Sequence, residues 1–314
     1  MAMTKKQLEK LVRSKDTIAR IPLPLLDGSI THYKDFPSKL IRPRPVDVWL
    51  PEIYRDNPDE HYPVIYMHDG QMMFHHVDSS LAGMDVFWDV DKVITRLLNN
   101  KEIRPAIVVA VWMADWLKGS RRAEYMPQKA VTEEDWQRIR KETSVAPLQK
   151  EEGDEVISSD NYLKFLVSEL KPFIDKTYPT LTGNSDTFVV GSSMGALISA
   201  YAIAEYPHVF GGAACMSTDW SIGEGIVAEW FEDHWPASGM NRIYFDYGTE
   251  TMDAYYEPYQ SQMDDVMRKF GYTKGKDWDT RRFEGADHSP KSWNERLHIP
   301  MKFLLGDSSN TAKT

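Results

Sequence analysis

The chain reads as an α/β protein, a mostly parallel central sheet with helices on both faces. Three observations predict this. Short runs such as Val64-Ile65-Tyr66-Met67 and Ile107-Val108-Val109-Ala110-Val111 are continuously apolar rather than alternating, the pattern of strands buried on both sides. From residue 64 onward such runs alternate with helix-like stretches, the rhythm of strand–helix crossovers. And 314 residues with 42% apolar and 12% aromatic content can bury a large core.

Taken in order, Leu8, Leu11 and Val12 fall at helical spacing among charges and predict a short amphipathic helix over 4–15. Residues 17–24, 38–42 and 45–50 are rich in Ile, Val and Leu and punctuated by Pro and Gly, which predicts antiparallel strands opening the sheet. The alternating part follows: strand 64–67, helix 86–99, strand 107–111, a long helix over 159–178, strand 187–190 and a helix from 193. Strands at 210–216, 242–247 and 280–284 come next, each with a helix after it, the last from Lys291 through Trp293 and Leu297. Between 112 and 157, Trp112, Trp116, Trp136 and many charges break the alternation, which suits an insertion or lid over the sheet's carboxyl edge and equally a plain surface excursion. No repeat, low-complexity tract or linker divides the chain. Residues 1–314 therefore read as one domain, with 1–40 as an N-terminal helix and strand extension.

A formal net charge of -10 with no long basic run argues against a nucleic-acid partner or an anionic membrane surface. No stretch approaches the roughly 20 apolar residues of a membrane span. The charged start Met-Ala-Met-Thr-Lys-Lys has no apolar leader region, so a cytoplasmic location is expected, or a periplasmic or secreted one if a leader was removed. The single cysteine, Cys215, excludes an internal disulfide and reads as a small buried hydrophobe.

The most informative motif is Gly191-Ser192-Ser193-Met194-Gly195, between the apolar run Phe188-Val189-Val190 and the helix-like run from Ala196. A G-x-S-x-G pentapeptide at a strand-to-helix junction is what a nucleophile elbow needs. The central serine sits on a strained turn, and glycines two residues either side let the backbone close without a Cβ clash. Ser193 is the candidate nucleophile. A serine hydroxyl needs a base, usually a histidine held by a carboxylate, and in chain order these should follow the serine. His288 lies in Gly285-Ala286-Asp287-His288-Ser289, between the final strand and final helix, and is better placed than His208, His234 or His298. For the acid, the strand ending at Tyr247 runs into Gly248-Thr249-Glu250-Thr251-Met252-Asp253. Asp253 is favoured for its shorter side chain, Glu250 is the alternative, and Asp246 falls inside the strand. Oxyanion donors are expected from the N–H of Met194, after the nucleophile, and from the N–H of Gln71, in the glycine turn after strand 64–67. His68, His75 and His76 with Asp69 and Asp78 lack the i, i+4 histidine pair of zinc hydrolases, and G-x-G-x-x-G is absent. No metal and no cofactor are expected.

Together these pieces resemble the esterase-D-like branch of the α/β-hydrolases, which includes enterochelin esterases, S-formylglutathione hydrolases, feruloyl and acetylxylan esterase domains and mycolyltransferases. The likeness is nearest to its enterochelin-esterase-like members. It rests on Tyr66-Met67-His68-Asp69-Gly70-Gln71-Met72-Met73-Phe74, Trp88-Asp89-Val90-Asp91, Glu124-Tyr125-Met126-Pro127 and Tyr162-Leu163-Lys164-Phe165-Leu166 running to Lys171-Pro172-Phe173-Ile174-Asp175. The elbow, Ser217-Thr218-Asp219-Trp220, Gly248-Thr249 with Met252-Asp253-Ala254, and Gly285-Ala286-Asp287-His288-Ser289 complete it, over roughly residues 40–305. The resemblance implies an α/β-hydrolase fold with Ser193 as nucleophile, His288 as base and the N–H groups of Gln71 and Met194 on the oxyanion. It leans toward Asp253 as the acid. Two departures stand out: Ala196 where relatives often repeat glycine, and Asp219 where close relatives tend to carry histidine.

The expected activity is hydrolysis of a small or aryl carboxylic ester through an acyl-enzyme. Candidate esters are a siderophore lactone, a feruloyl or acetyl ester, or a simple carboxylester, with Met72, Phe74, Trp88 and Trp220 rimming the acyl pocket. The expected partner is thus a small-molecule ester. The alternatives are an acyltransferase with a sugar or thiol acceptor, using the same residues, and a silent hydrolase fold that only binds.

Overall fold

Strand β6 (Thr187–Ser192) is buried along its whole length and organises the computed structural model, which describes residues 18–21, 27–57, 59–74, 87–114, 120–142 and 156–306. The other strands are β1 (Ile18–Ile21), β2 (Ser29–Phe36), β3 (Arg44–Leu50), β4 (Val64–His68), β5 (Ile107–Val111), β7 (Gly212–Met216), β8 (Arg242–Gly248) and β9 (Trp278–Phe283). They form one nine-stranded sheet in the order β1-β2-β3-β5-β4-β6-β7-β8-β9. β1, β2 and β3 pair antiparallel, as does β3 with β5, and every pairing from β5 to β9 is parallel. The all-apolar runs seen in the sequence are these parallel strands: β4 and β5 are buried at every position, because helices cover both their faces.

Two core layers sandwich the sheet. One packs α1 (Val90–Asn99), through Val90, Val93, Ile94 and Leu97, beside the last helices of the chain, through Trp293, Leu297, Met301 and Leu304. The other packs helices between Ser159 and Lys269 against the opposite face, with Tyr162, Phe173, Leu197, Tyr201, Phe231 and Met263 among its members. Inside this second layer the expected long helix runs from Ser159 to Thr177 but changes to a π-helical turn over Leu166–Leu170. Pro172 accounts for the change, since it has no N–H to give the regular ladder.

The segment after β5 contributes α2 (Ser120–Tyr125) and α3 (Glu133–Glu142). Arg44 and Glu124 meet there in a bidentate buried ion pair at 2.8 and 2.6 Å, with the guanidinium over the rings of Tyr162 and Phe165. Trp136 and Ile139 of α3 are buried in the same layer.

Three expectations at the amino-terminal side need correcting or lie beyond view. Residues 38–42 are a turn, not a strand: Ser38 Oγ accepts the N–H groups of Leu40 and Ile41 at 2.9 and 3.1 Å and donates to Glu169 at 2.5 Å. β2 was not predicted, because a bulge between Tyr33 and Phe36 puts two buried rings three residues apart and spoils the alternation. Of the strand predicted over 17–24, Ile18–Ile21 is extended. The helix expected over 4–15 lies outside the described residues, as do Trp116, His75, His76 and Asp78.

Candidate active site

β6 delivers its chain to Ser193 in the conformation φ 55°, ψ -125°, outside the ordinary helical and extended regions. The turn is held from both sides, since Ser193 N–H donates to Met216 O of β7 at 3.0 Å and Ser193 O accepts the N–H groups of Ala196 and Leu197 at 3.0 and 3.2 Å. Glycine is obligatory at 191, where a Cβ would stand 2.4 Å from the Gly195 carbonyl. The helix Met194–Glu205 starts immediately after, so the Met194 N–H is one of the donors at a helix amino terminus that have no partner within the helix.

The loop after β4 approaches from the neighbouring strand. Asp69 is left-handed (φ 57°), and the short helical turn Gly70–Met72 carries Gln71, which is 2% exposed. A Cβ on Gly70 would meet the Ala110 backbone at 2.6 Å, so this turn fits only with glycine. Arg121 ties the loop to the elbow: it grips Asp69 through Nε and Nη2 at 2.8 and 2.7 Å and reaches Ser192 O at 3.4 Å. Beneath them, His68 shares a 2.8 Å hydrogen bond between Nδ1 and the Tyr162 hydroxyl, and burial lowers its pKa to about 4, so the ring is neutral.

Asp253 and His288 come from the loops after β8 and β9. His288 Nδ1 lies 2.6 Å from Asp253 Oδ1, and the imidazole is walled edge to face by Trp293 at 5.0 Å and Tyr256 at 5.8 Å. Asp253 Oδ2 accepts Ser217 Oγ at 2.5 Å and Gly248 N–H at 2.6 Å. Burial alone would raise the Asp253 pKa, but hydrogen bonds from His288, Ser217 and Gly248 outweigh it and hold the carboxyl below its usual value. Behind Ser217 stand the Trp293 indole N–H at 2.9 Å and Arg296 Nη2 at 2.7 Å, and Arg296 pairs with Asp246 at 3.0 Å. Glu250 is exposed at the start of the turn that carries Asp253. Among the described residues no hydrogen bond joins the imidazole to the Ser193 hydroxyl. With Nδ1 committed to Asp253, Nε2 is the nitrogen able to take a proton.

Of the aromatic and sulfur residues expected around the acyl pocket, Met72 is partly exposed. Trp88 is 1% exposed and packs on Trp293 at 5.7 Å. Phe74 and Trp220 have no exposed surface; they belong to opposite core layers, and the Trp220 N–H is given to Gln260 at 2.9 Å. Ser217, Arg121 and Arg296 were not among the predicted residues, because their importance lies in contacts between distant segments. The nearest sequence signal was Ser217 opening Ser217-Thr218-Asp219-Trp220. Among the described residues no group of three or more His, Cys, Asp or Glu side chains is set to hold a metal, and no helix is long and apolar enough to cross a membrane.

Comparison with known proteins agrees with this architecture. The family described as "Putative esterase" matches residues 38–298. The chain is 24% identical over 290 residues to the uncharacterised protein YjcH of Bacillus subtilis, covering 89% of this chain and 98% of that one. Among solved structures it is similar to the enterochelin esterase of Shigella flexneri, with a TM-score of 0.60 at 17% identity over 90% of this chain. It spans 61% of that protein's length. It is also similar to a ferulic acid esterase from Anaeromyces mucronatus, with a TM-score of 0.59 at 19% identity, covering 93% of this chain and 94% of that one.

Proposed function

The chain belongs to the "Putative esterase" family, and on that premise we propose that it is a serine carboxylesterase acting through an acyl-enzyme. Ser193 Oγ attacks the ester carbonyl while His288 Nε2 takes the hydroxyl proton, and Asp253 holds the imidazole in the tautomer that leaves Nε2 free. The N–H groups of Gln71 and Met194 stabilise the oxyanion of the tetrahedral intermediate. The intermediate collapses as His288 returns its proton to the departing alcohol. A water then repeats the sequence: His288 deprotonates it, it attacks the acyl-enzyme, and the carboxylic acid leaves with Ser193 regenerated.

The observation that carries this reading is the pairing of a strained Ser193 at a helix start with an imidazole held at 2.6 Å by a buried carboxylate. Arrangements of this kind cost stability and persist where the reaction uses them. The substrate is proposed to be a small or aryl ester, the class to which the enterochelin and ferulic acid esterases of similar fold point.

The test is hydrolysis of p-nitrophenyl acetate and butanoate by the wild type and by Ser193→Ala, with circular dichroism confirming that both are folded. Activity present in the wild type and absent from the variant supports the reading. A folded wild type that neither turns over these esters nor takes up a fluorophosphonate would end it.

A further inference from the structure

Around the candidate nucleophile the charged side chains pair off among the described residues, with one exception. Arg121 is spent on Asp69 through two hydrogen bonds, and Arg296 is spent on Asp246. Asp253 has His288. Asp219 is left over. Its backbone N–H reaches Ser193 O at 3.4 Å, so it sits directly beside the elbow. Ser221 Oγ donates to Oδ1 at 3.0 Å, whereas among the described residues Oδ2 receives no hydrogen bond. The groups close enough for its charge to act on are His288, Arg121 and Tyr256.

Tyr256 gives a second, independent sign. It is 1% exposed, its ring stands against the His288 imidazole, and among the described residues its hydroxyl has no well-formed hydrogen bond. A buried phenol without a partner is uncommon, because the unmade bond costs free energy. It lies near enough to Asp219 to feel the carboxylate, yet the two make no well-formed hydrogen bond. A carboxylate oxygen and a phenol oxygen, both lacking a donor and both beside the reacting groups, suit a ligand that brings several N–H donors and a positive charge.

We propose that the ester carries an ammonium group close to its scissile carbonyl, and that Asp219 and Tyr256 form the subsite that holds it. The ammonium donates to Asp219 Oδ2 and to the Tyr256 oxygen, and its charge balances a carboxylate beside the elbow that has no ion pair among the described residues. Burial pushes the Asp219 carboxyl above the usual carboxylate range, and a cation beside it would draw it back down. Esters bearing a carboxylate at the same place are repelled, which makes the subsite a source of discrimination as well as affinity. This inference rests on the esterase reading of the cleft, but binding tests it separately from turnover.

Calorimetric titration of the full chain with benzylammonium and with its neutral isostere benzyl alcohol reads the subsite directly. The cation should bind the wild type more tightly than the alcohol, and Asp219→Asn should weaken cation binding by about tenfold or more while preserving side-chain shape. Hydrolysis supplies the second measurement: the ratio of kcat/KM for p-nitrophenyl 3-aminopropanoate to that for the isosteric butanoate should fall by about tenfold in Asp219→Asn, whatever loss the two esters share. Equal binding of the two probes, no binding of benzylammonium, or an unchanged ratio in the variant would each overturn the proposal. Cation binding without any ester turnover would uphold the subsite and defeat the esterase reading. Butanoate turnover without cation preference would do the reverse.

Discussion

Ser217 donates its hydroxyl to Asp253 Oδ2 across 2.5 Å, on the oxygen that His288 does not use. The same Ser217 oxygen accepts from Trp293 and Arg296, so one hydroxyl connects the carboxylate to the buried Arg296–Asp246 ion pair. Ser217→Ala removes that connection and leaves three polar groups short of a partner. Stability should drop by about 1–3 kcal/mol in urea titrations. The acid limb of the kcat/KM profile should also change shape, since Asp253 loses a bond that favours its charged form.

The two candidate acids part company by position. Asp253→Asn keeps the shape but loses the charge and favours the wrong imidazole tautomer, so kcat should fall by about 10³–10⁴-fold. Glu250 is exposed and Glu250→Gln should leave kcat within about twofold. Steady-state kinetics on p-nitrophenyl butanoate would rank the pair, and the opposite order would make Glu250 the acid.

Gly191 admits no side chain, because a Cβ would overlap the Gly195 carbonyl at 2.4 Å. Gly191→Ala should force the elbow open, costing about 1–3 kcal/mol and displacing the Ser193 hydroxyl. Loss of fluorophosphonate labelling in a variant whose circular dichroism is native would show the displacement.

His68 predicts a pH dependence of stability. Its pKa is about 4 in the folded chain and near 6.5 when exposed, so the unfolded state binds the proton more readily. The contribution is fully present above pH 6.5 and is lost as pH falls through about 4, amounting to about 3 kcal/mol. Denaturation midpoints measured from pH 7 to pH 4 should therefore fall, and His68→Gln, which can still bond Tyr162, should flatten the slope.

Much of this molecule is readable in its sequence. The parallel strands carry continuous apolar runs because they are buried on both faces, and the pentapeptide around Ser193 is a local motif whose glycines have local reasons. β2 escaped notice because a bulge shifts Phe36 out of step with Tyr33. The choice between Asp253 and Glu250 turns on which carboxylate the five-residue helical turn Thr251–Tyr255 aims inward, and spacing does not carry that information. Ser217, Arg121 and Arg296 act on residues 36, 52 and 50 positions away, so no local pattern marks them.

The loops that carry Asp253 and His288 are stitched to each other. Thr249 and Glu250 both donate backbone N–H groups to Ala286 O at 3.0 Å, Gly285 N–H reaches Thr249 Oγ1 at 2.8 Å, and His288 N–H reaches Thr251 Oγ1 at 2.9 Å. Ser193 follows a different strand, β6, and takes no part in this stitching. The amides of Thr249, Glu250, Gly285 and His288 should thus exchange with deuterium as a single cooperative unit, at a rate distinct from that of the elbow. Any breathing of the site then varies the gap between the hydroxyl and the imidazole while the imidazole and its carboxylate travel together, so the proposed reaction would be gated by one separation rather than two.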